Sequence, residues 1–172
     1  MMREMLKRAA VVLVLVAVLC VSFAAAEESV LVGLEAPDFE VTTLDGEVFR
    51  LSEHRGKVVY VNIWATWCPP CVDEIPDIQK LAEAHPDELA VIGVSIDDSR
   101  EDVEAFVAEN GCTYPIGMDE GYRLAVELFP TQYIPESVFI SPNGVITGVR
   151  VGGLSYEEME ASASRKQASI SS

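Results

Sequence analysis

Trp64-Ala65-Thr66-Trp67-Cys68-Pro69-Pro70-Cys71 is the stretch that decides how the chain is read. It sets two thiols two residues apart, directly after the β-branched apolar run Val58-Val59-Tyr60-Val61-Asn62-Ile63 and directly before a helical pattern. A run of that composition is expected to be a strand buried on both faces in the middle of a sheet. Beyond the cysteines, Val72, Ile75, Ile78, Gln79, Leu81 and Ala82 recur at helical spacing, which puts Cys68 at a helix N-terminus and Cys71 one turn in. Pro69 and Pro70 suit that place, because the N–H groups of a first turn have no intrahelical acceptor to lose.

That placement carries chemistry. Free N–H groups and the positive end of the helix dipole stabilise an anion, so the Cys68 thiolate is expected to form well below the free-thiol pKa of ~8.5. Cys68 then attacks a substrate disulfide, and Cys71, held within reach by the two-residue spacer, resolves the mixed disulfide. Half of a zinc site is the other use of such spacing. It needs two more ligands, and there is no second pair, while His54 and His85 stand alone in turn-like segments and read as solvated. The sequence calls for no metal and no cofactor.

The chain has 172 residues, with 12 Lys and Arg against 28 Asp and Glu and a formal net charge of −16. Such a balance argues against nucleic acid and anionic membrane surfaces as partners. The first 26 residues read as targeting: Arg3, Lys7 and Arg8, then Ala9 to Phe23 without a charge, then Ala24-Ala25-Ala26 before Glu27. A cleaved signal peptide and a retained signal anchor, tethering the protein through residues 9–26, both fit. Lipid attachment at Cys20 fits poorly, because Leu19 precedes it where a small residue is wanted. Each option places the domain outside the cytoplasm, periplasmic or on the outer membrane face, where a dithiol must be kept reduced by a donor. One domain is expected over 27–160, with a weakly ordered tail at 161–172.

Element order narrows the fold. Val41-Thr42-Thr43, the turn Leu44-Asp45-Gly46 and Val48-Phe49-Arg50 read as a small N-terminal hairpin. After the cysteine helix, Leu89 to Ile96 is a second buried strand, Asp97-Asp98-Ser99 caps a helix over about 100–110, and Gly111 stops it. Tyr114 to Met118 is an edge strand, Gly121 to Phe129 a short helix ended by Pro130, and Ser137 to Arg150 an antiparallel hairpin turning at Ser141-Pro142-Asn143-Gly144. The expected class is α/β, a mixed central sheet with helices on both faces and an N-terminal hairpin added. Cys112 reads as a buried structural thiol, Trp64 as core, and Trp67 as an aromatic beside the substrate groove. A final helix begins near Tyr156 and is expected to be short or frayed.

Over about 33–153 the chain resembles the thioredoxin superfamily, and within it the TlpA/ResA/CcmG-like extracytoplasmic thiol-disulfide oxidoreductases. The carriers are Ala36-Pro37-Asp38-Phe39, Leu44-Asp45-Gly46, Gly56-Lys57, Val61 to Cys71, Glu74-Ile75-Pro76 and Ile134-Pro135. The resemblance implies a thioredoxin fold, with Asn62 where thioredoxin itself has a buried Asp. It implies a cis bond before Pro135, which faces the cysteines and leaves the Ile134 backbone free to pair with an extended substrate. A Glu at the position of Glu74 sits near the cysteines in ResA-like proteins. A carboxyl in apolar surroundings there can exchange a proton with the resolving thiol, while a solvated carboxylate favoured by the helix dipole is the plainer reading. Pro76 cannot bond to the Val72 carbonyl and is expected to kink the helix.

The expected function is reduction of disulfides in extracytoplasmic client proteins. Cys68, Cys71 and Glu74 would be catalytic, and Trp67, Pro69, Pro70, Ile134 and Pro135 would contact substrate. The resemblance adds a membrane thiol electron donor and a place in cytochrome c maturation, with apocytochrome c as client. Two alternatives stand beside it. A peroxiredoxin-like peroxidase shares the Ala36-Pro37-Asp38-Phe39 opening but resembles a pattern with Thr or Ser where this chain has Ala65. A non-catalytic peptide-binding module would not need both cysteines.

Overall fold

The computed structural model describes residues 29–97 and 99–164. Residues 1–28, which include the segment expected to be a signal peptide or anchor, Asp98 and the tail beyond 164 lie outside the described residues. A two-stranded antiparallel sheet, β1 (Glu40–Thr42) and β2 (Val48–Arg50), precedes a five-stranded sheet built from β3 (Val58–Trp64), β4 (Leu89–Ser95), β5 (Ile116–Met118), β6 (Glu136–Ile140) and β7 (Ile146–Val151). The strand order is β5-β4-β3-β6-β7, with β4 and β5 parallel to β3 or to each other and β6 and β7 antiparallel. The apolar run therefore sits in the centre, and all seven residues of β3 are buried.

Alternation along β3 sorts the core into two faces. Val59, Val61 and Ile63 point to one side with Ile92, Val94, Val138 and Ile140, while Val58, Tyr60 and Trp64 point to the other with Leu89, Val91 and Phe139. Among the described residues three α-helices, α1 (Pro69–Ala84), α2 (Arg100–Asn110) and α3 (Tyr156–Ala163), place their buried side chains, among them Ile75, Ile78, Leu81, Val103 and Met159, on the second face. The reason is topological. The steps β3 to β4 and β4 to β5 move the same way across the sheet, so two right-handed crossovers lay α1 and α2 on one side. The first face is covered by the N-terminal segment, through Phe39, Phe49 and Leu51, and by a short helical stretch carrying Leu124, Ala125 and Phe129. Helices lie on both faces, as the sequence implies, but unequally.

Local chemistry sets the helix ends. Ser99 accepts the Asp102 N–H at the start of α2, and Gly111, in the left-handed region at φ 64°, closes it. α3 is short, and it opens on a capping box in which Ser155 and Glu158 serve each other's backbone N–H groups. Helix α1 continues through Pro76, which lies on its exposed side. The N-terminal hairpin can approach β5 only because residue 117 is glycine: a Cβ there would fall 2.4 Å from the Val41 side chain and 2.6 Å from the Thr42 carbonyl oxygen.

The helix expected over 121–129 departs from the sequence reading. Gly121 and Tyr122 both take positive φ, 72° and 58°, so a 3₁₀ turn (Glu120–Tyr122) gives way to a π turn (Arg123–Leu128). The buried Asp119 carboxylate accepts the N–H groups of Leu124 and Ala125, both at 2.8 Å, and so fixes where the second turn begins. Replacing it with alanine leaves both donors without that partner. Asp119→Ala is expected to cost about 1–2 kcal/mol in chemical denaturation, the range of a lost helix cap.

Candidate active site

Strand β3 ends at Trp64, and the chain turns through Ala65-Thr66-Trp67 into α1. Asp97, just past β4, holds that turn: its carboxylate accepts the Thr66 N–H at 2.9 Å and the Thr66 hydroxyl at 2.6 Å, and the Ser95 hydroxyl at 2.6 Å. The sequence places Asp97 in a helix cap. The structure gives the cap to Ser99 and makes Asp97 the brace of the cysteine loop.

Cys68 is the N-cap residue of α1, with extended backbone, and its carbonyl accepts the N–H groups of Cys71 and Val72. Pro69 and Pro70 occupy the first two helical positions and are exposed. Cys68 and Cys71 are joined in a disulfide with their Cα atoms 5.3 Å apart. The pair is nearly covered, and Cys68 Sγ lies 3.8 Å from the carbonyl oxygen of Ile134. The Ile134–Pro135 bond is cis, as the resemblance implied. The two stretches singled out in the sequence, around residues 68 and 135, thus meet at one end of the sheet.

Glu74 is 3% exposed and lies one turn beyond Cys71. Its Oε1 accepts from Asn62 Nδ2 at 2.7 Å and its Oε2 from the Leu154 N–H at 2.9 Å. Burial pushes its pKa from 4.5 up to about 7, against the pull of those two donors. The solvated reading of Glu74 therefore does not hold. Asn62 is wholly buried beside it, and Tyr60, two residues earlier on the same face, shares a hydrogen bond of 2.9 Å with Ser137. Burial, reinforced by the nearby Glu74, holds the Tyr60 phenol far above its usual range.

Trp67 is 65% exposed. Together with Ile96, Tyr122, Val126, Tyr133 and Ile134 it lines a groove of about 410 Å³ next to the cysteines. Sequence reading missed Glu136, a further buried carboxyl on the opposite face of β6 from Ser137. It accepts the Thr131 hydroxyl at 2.9 Å, and burial raises its pKa. Its signal was an ionisable residue at the head of an otherwise apolar strand.

Other residues part from their sequence readings. His54 is half-buried and stacks on Phe49 at 4.2 Å between ring centroids, and burial lowers its pKa. His85 is half-buried and lies 3.4 Å from Glu160. Cys112 is a free thiol, partly rather than fully buried, with its pKa raised by that burial. Trp64 is core, as read. Among the described residues no group of three or more His, Cys, Asp or Glu side chains could hold a metal ion, and no helix is long and apolar enough to cross a membrane.

A dithiol-disulfide pair at the head of a helix, set against a cis-proline at the end of a mixed sheet, defines a thioredoxin-like thiol-disulfide oxidoreductase. The chain belongs to the AhpC/TSA family, whose sequence model matches residues 32–149. It is 39% identical over 136 residues to the thioredoxin-like protein YneN of Bacillus subtilis, covering 74% of this chain and 76% of that protein. With the thiol-disulfide oxidoreductase ResA of Geobacillus kaustophilus it shares 31% identity over 163 residues, 92% of this chain and 93% of that one. Among solved structures, a thiol:disulfide interchange protein of the thioredoxin family from Chlorobium tepidum superposes with a TM-score of 0.67 at 27% identity, covering 81% of this chain and 97% of that one.

Proposed function

We propose that the protein reduces disulfides in extracytoplasmic client proteins. The observation that supports this best is the position of Cys68, at the leading end of α1 and 3.8 Å from the Ile134 carbonyl, with Cys71 already bonded to it. In the reduced protein the Cys68 thiolate attacks one sulfur of the client disulfide, and the other client sulfur leaves as a thiolate and takes up a proton. The Cys71 thiolate then attacks Cys68, expelling the second client thiol and closing the 68–71 disulfide. Two electrons pass to the client. Glu74 is suited to take the Cys71 proton as that thiol becomes a nucleophile, since a carboxyl titrating at about 7 trades protons readily at neutral pH.

Trp67, Pro69, Pro70, Ile134 and Pro135 frame the approach to Cys68, and the backbone of Ile134 is the proposed pairing edge for an extended client segment. Residues 1–26 act as signal peptide or signal anchor, residues 27–160 as the working domain, and a membrane thiol carrier regenerates the dithiol. Apocytochrome c, whose cysteines must be free for haem attachment, is the proposed client.

The family also admits a peroxidase reading, which Ala65 disfavours. Insulin reduction measured beside peroxide consumption decides: disulfide turnover without peroxide turnover is expected. The reduction potential of the 68–71 pair gives the direction. A value near that of thioredoxin, about −270 mV, fits a reductant, and one near about −120 mV would make the protein an oxidant instead.

A further inference from the structure

Disulfide exchange with Glu74 as proton carrier requires that carboxyl to exist both with and without its proton. Both of its oxygens face donors. Oε2 accepts the Leu154 N–H, a backbone group that has only hydrogen to offer, and Oε1 accepts Asn62 Nδ2. A neutral carboxyl carries a hydrogen of its own and needs an acceptor for it. That hydrogen cannot point at the Leu154 N–H, and set toward Asn62 from Oε1 it would meet the hydrogens of Nδ2.

Only one of the two partners can reverse. A carboxamide has donor and acceptor at its two ends, and half a turn about its last torsion exchanges them with almost no change of shape. The far end, Asn62 Oδ1, is buried and without a hydrogen-bond partner among the described residues, so the turn breaks no bond on that side. After the turn Nδ2 takes the place of Oδ1, away from Glu74, and the Tyr60 hydroxyl keeps its bond to Ser137.

Resting on the disulfide-exchange reading, we infer that Asn62 is a positioning residue whose side-chain amide reverses each time Glu74 gains or loses its proton, donating through Nδ2 to the carboxylate and accepting through Oδ1 from the acid. The surroundings leave Glu74 as the group that drives this. From β3 and from the segment before β5, Tyr60 and Tyr114 act on the same region, but both phenols are held neutral by burial, as is the Cys112 thiol beside Tyr114. On α1, Cys71 is tied in the disulfide, Asp73 is exposed, and Asp77 accepts the Tyr156 N–H. The segment after β7 offers Glu74 the Leu154 backbone N–H. The reversal keeps both forms of Glu74 hydrogen-bonded to Asn62, so a proton can come and go without breaking the contact between the two side chains.

Isotope-labelled oxidised protein, titrated by NMR from about pH 5 to 9 around the Glu74 inflection, tests this. Nuclear Overhauser contacts of the Asn62 amide protons are expected to lie on Glu74 above the inflection and to leave it below, with amide and carboxyl inflecting together. In Glu74→Gln the amide is expected to show no pH dependence. Contacts that stay on Glu74 at every pH, or an amide that titrates in Glu74→Gln, overturn the proposal. Asn62→Leu is expected to move the Glu74 inflection up by about one pH unit, because a charge-assisted bond is lost along with a weaker neutral one. If that variant does not fold, the wild-type contacts decide alone. Reduction of hydroxyethyl disulfide by the wild-type protein tests the exchange reading separately, since it proceeds or fails whatever the amide does.

Discussion

Cys68→Ser is expected to bring insulin reduction down to the rate of the uncatalysed assay, while Cys71→Ser is expected to accumulate a covalent adduct with the client. The two outcomes differ because the two sulfurs stand in different places. Cys68 caps α1, where the positive end of the helix dipole favours its anion, and it lies beside the Ile134 carbonyl. Serine has no thiolate to offer, and deletion of a covalent nucleophile removes several orders of magnitude of rate in other enzymes. Cys71 is fully covered and one turn further in, so it meets only a sulfur already bound to Cys68. Without it the mixed disulfide has no internal attacker. Non-reducing gel electrophoresis of the Cys71→Ser protein with a disulfide-bonded client checks this. A Cys68→Ser protein that forms the adduct instead would exchange the roles of the two thiols.

The second large effect is on stability. Glu74 titrates at about 7 in the folded protein, against 4.5 for an ordinary glutamate. Between those values the folded protein keeps a proton that the unfolded chain has released, so stability falls as pH rises through that window and levels off above it. A difference of that size corresponds to about 3 kcal/mol. For a domain of this length it amounts to roughly 6–12 °C in Tm. Glutamine keeps the shape and does not titrate, so the Tm of oxidised Glu74→Gln is expected to lose that much less than wild type between about pH 4.5 and 8. Glu136, whose pKa burial also raises, acts in the same direction in both proteins and drops out of the comparison. Identical pH dependence in the two would mean that Glu74 is not the group responsible.

Much of this was legible in the residues because the informative positions are local. The β-branched run, the two prolines after Cys68 and the helical spacing from Val72 onward each speak for their own segment, and all agree on a buried strand entering a helix at a thiol. Glu74 and Ile134-Pro135 were legible by resemblance. What escaped depends on contacts far apart in the chain. Asp97 looks like any helix-capping aspartate until β4 lays it against Thr66, 31 residues earlier. His54 looks solvated until the N-terminal hairpin offers the ring of Phe49. The stretch 121–129 looks helical because its apolar residues are spaced for it, and only the Asp119 carboxylate, aimed at two particular N–H groups, shows why the turn starts late and winds wide. Glu136 was passed over because an apolar pattern draws attention to what it repeats rather than to what interrupts it.

The first described segment is fastened to the last strand to be made. Gly33 and Ile146 are linked through the N–H of the former, Leu34 accepts the Ile146 N–H, and Ala36 donates to Gly144. These bonds span more than 100 residues. A chain that emerges from a ribosome or a translocation channel beginning with its N-terminus therefore has nothing to lay Leu31, Val32 and Ala36 against until the β6–β7 hairpin has emerged. Closures over such separations slow folding. The apolar opening of the domain stays uncovered for nearly the whole of its emergence, and a chain cut short before β7 would lose its beginning together with its end.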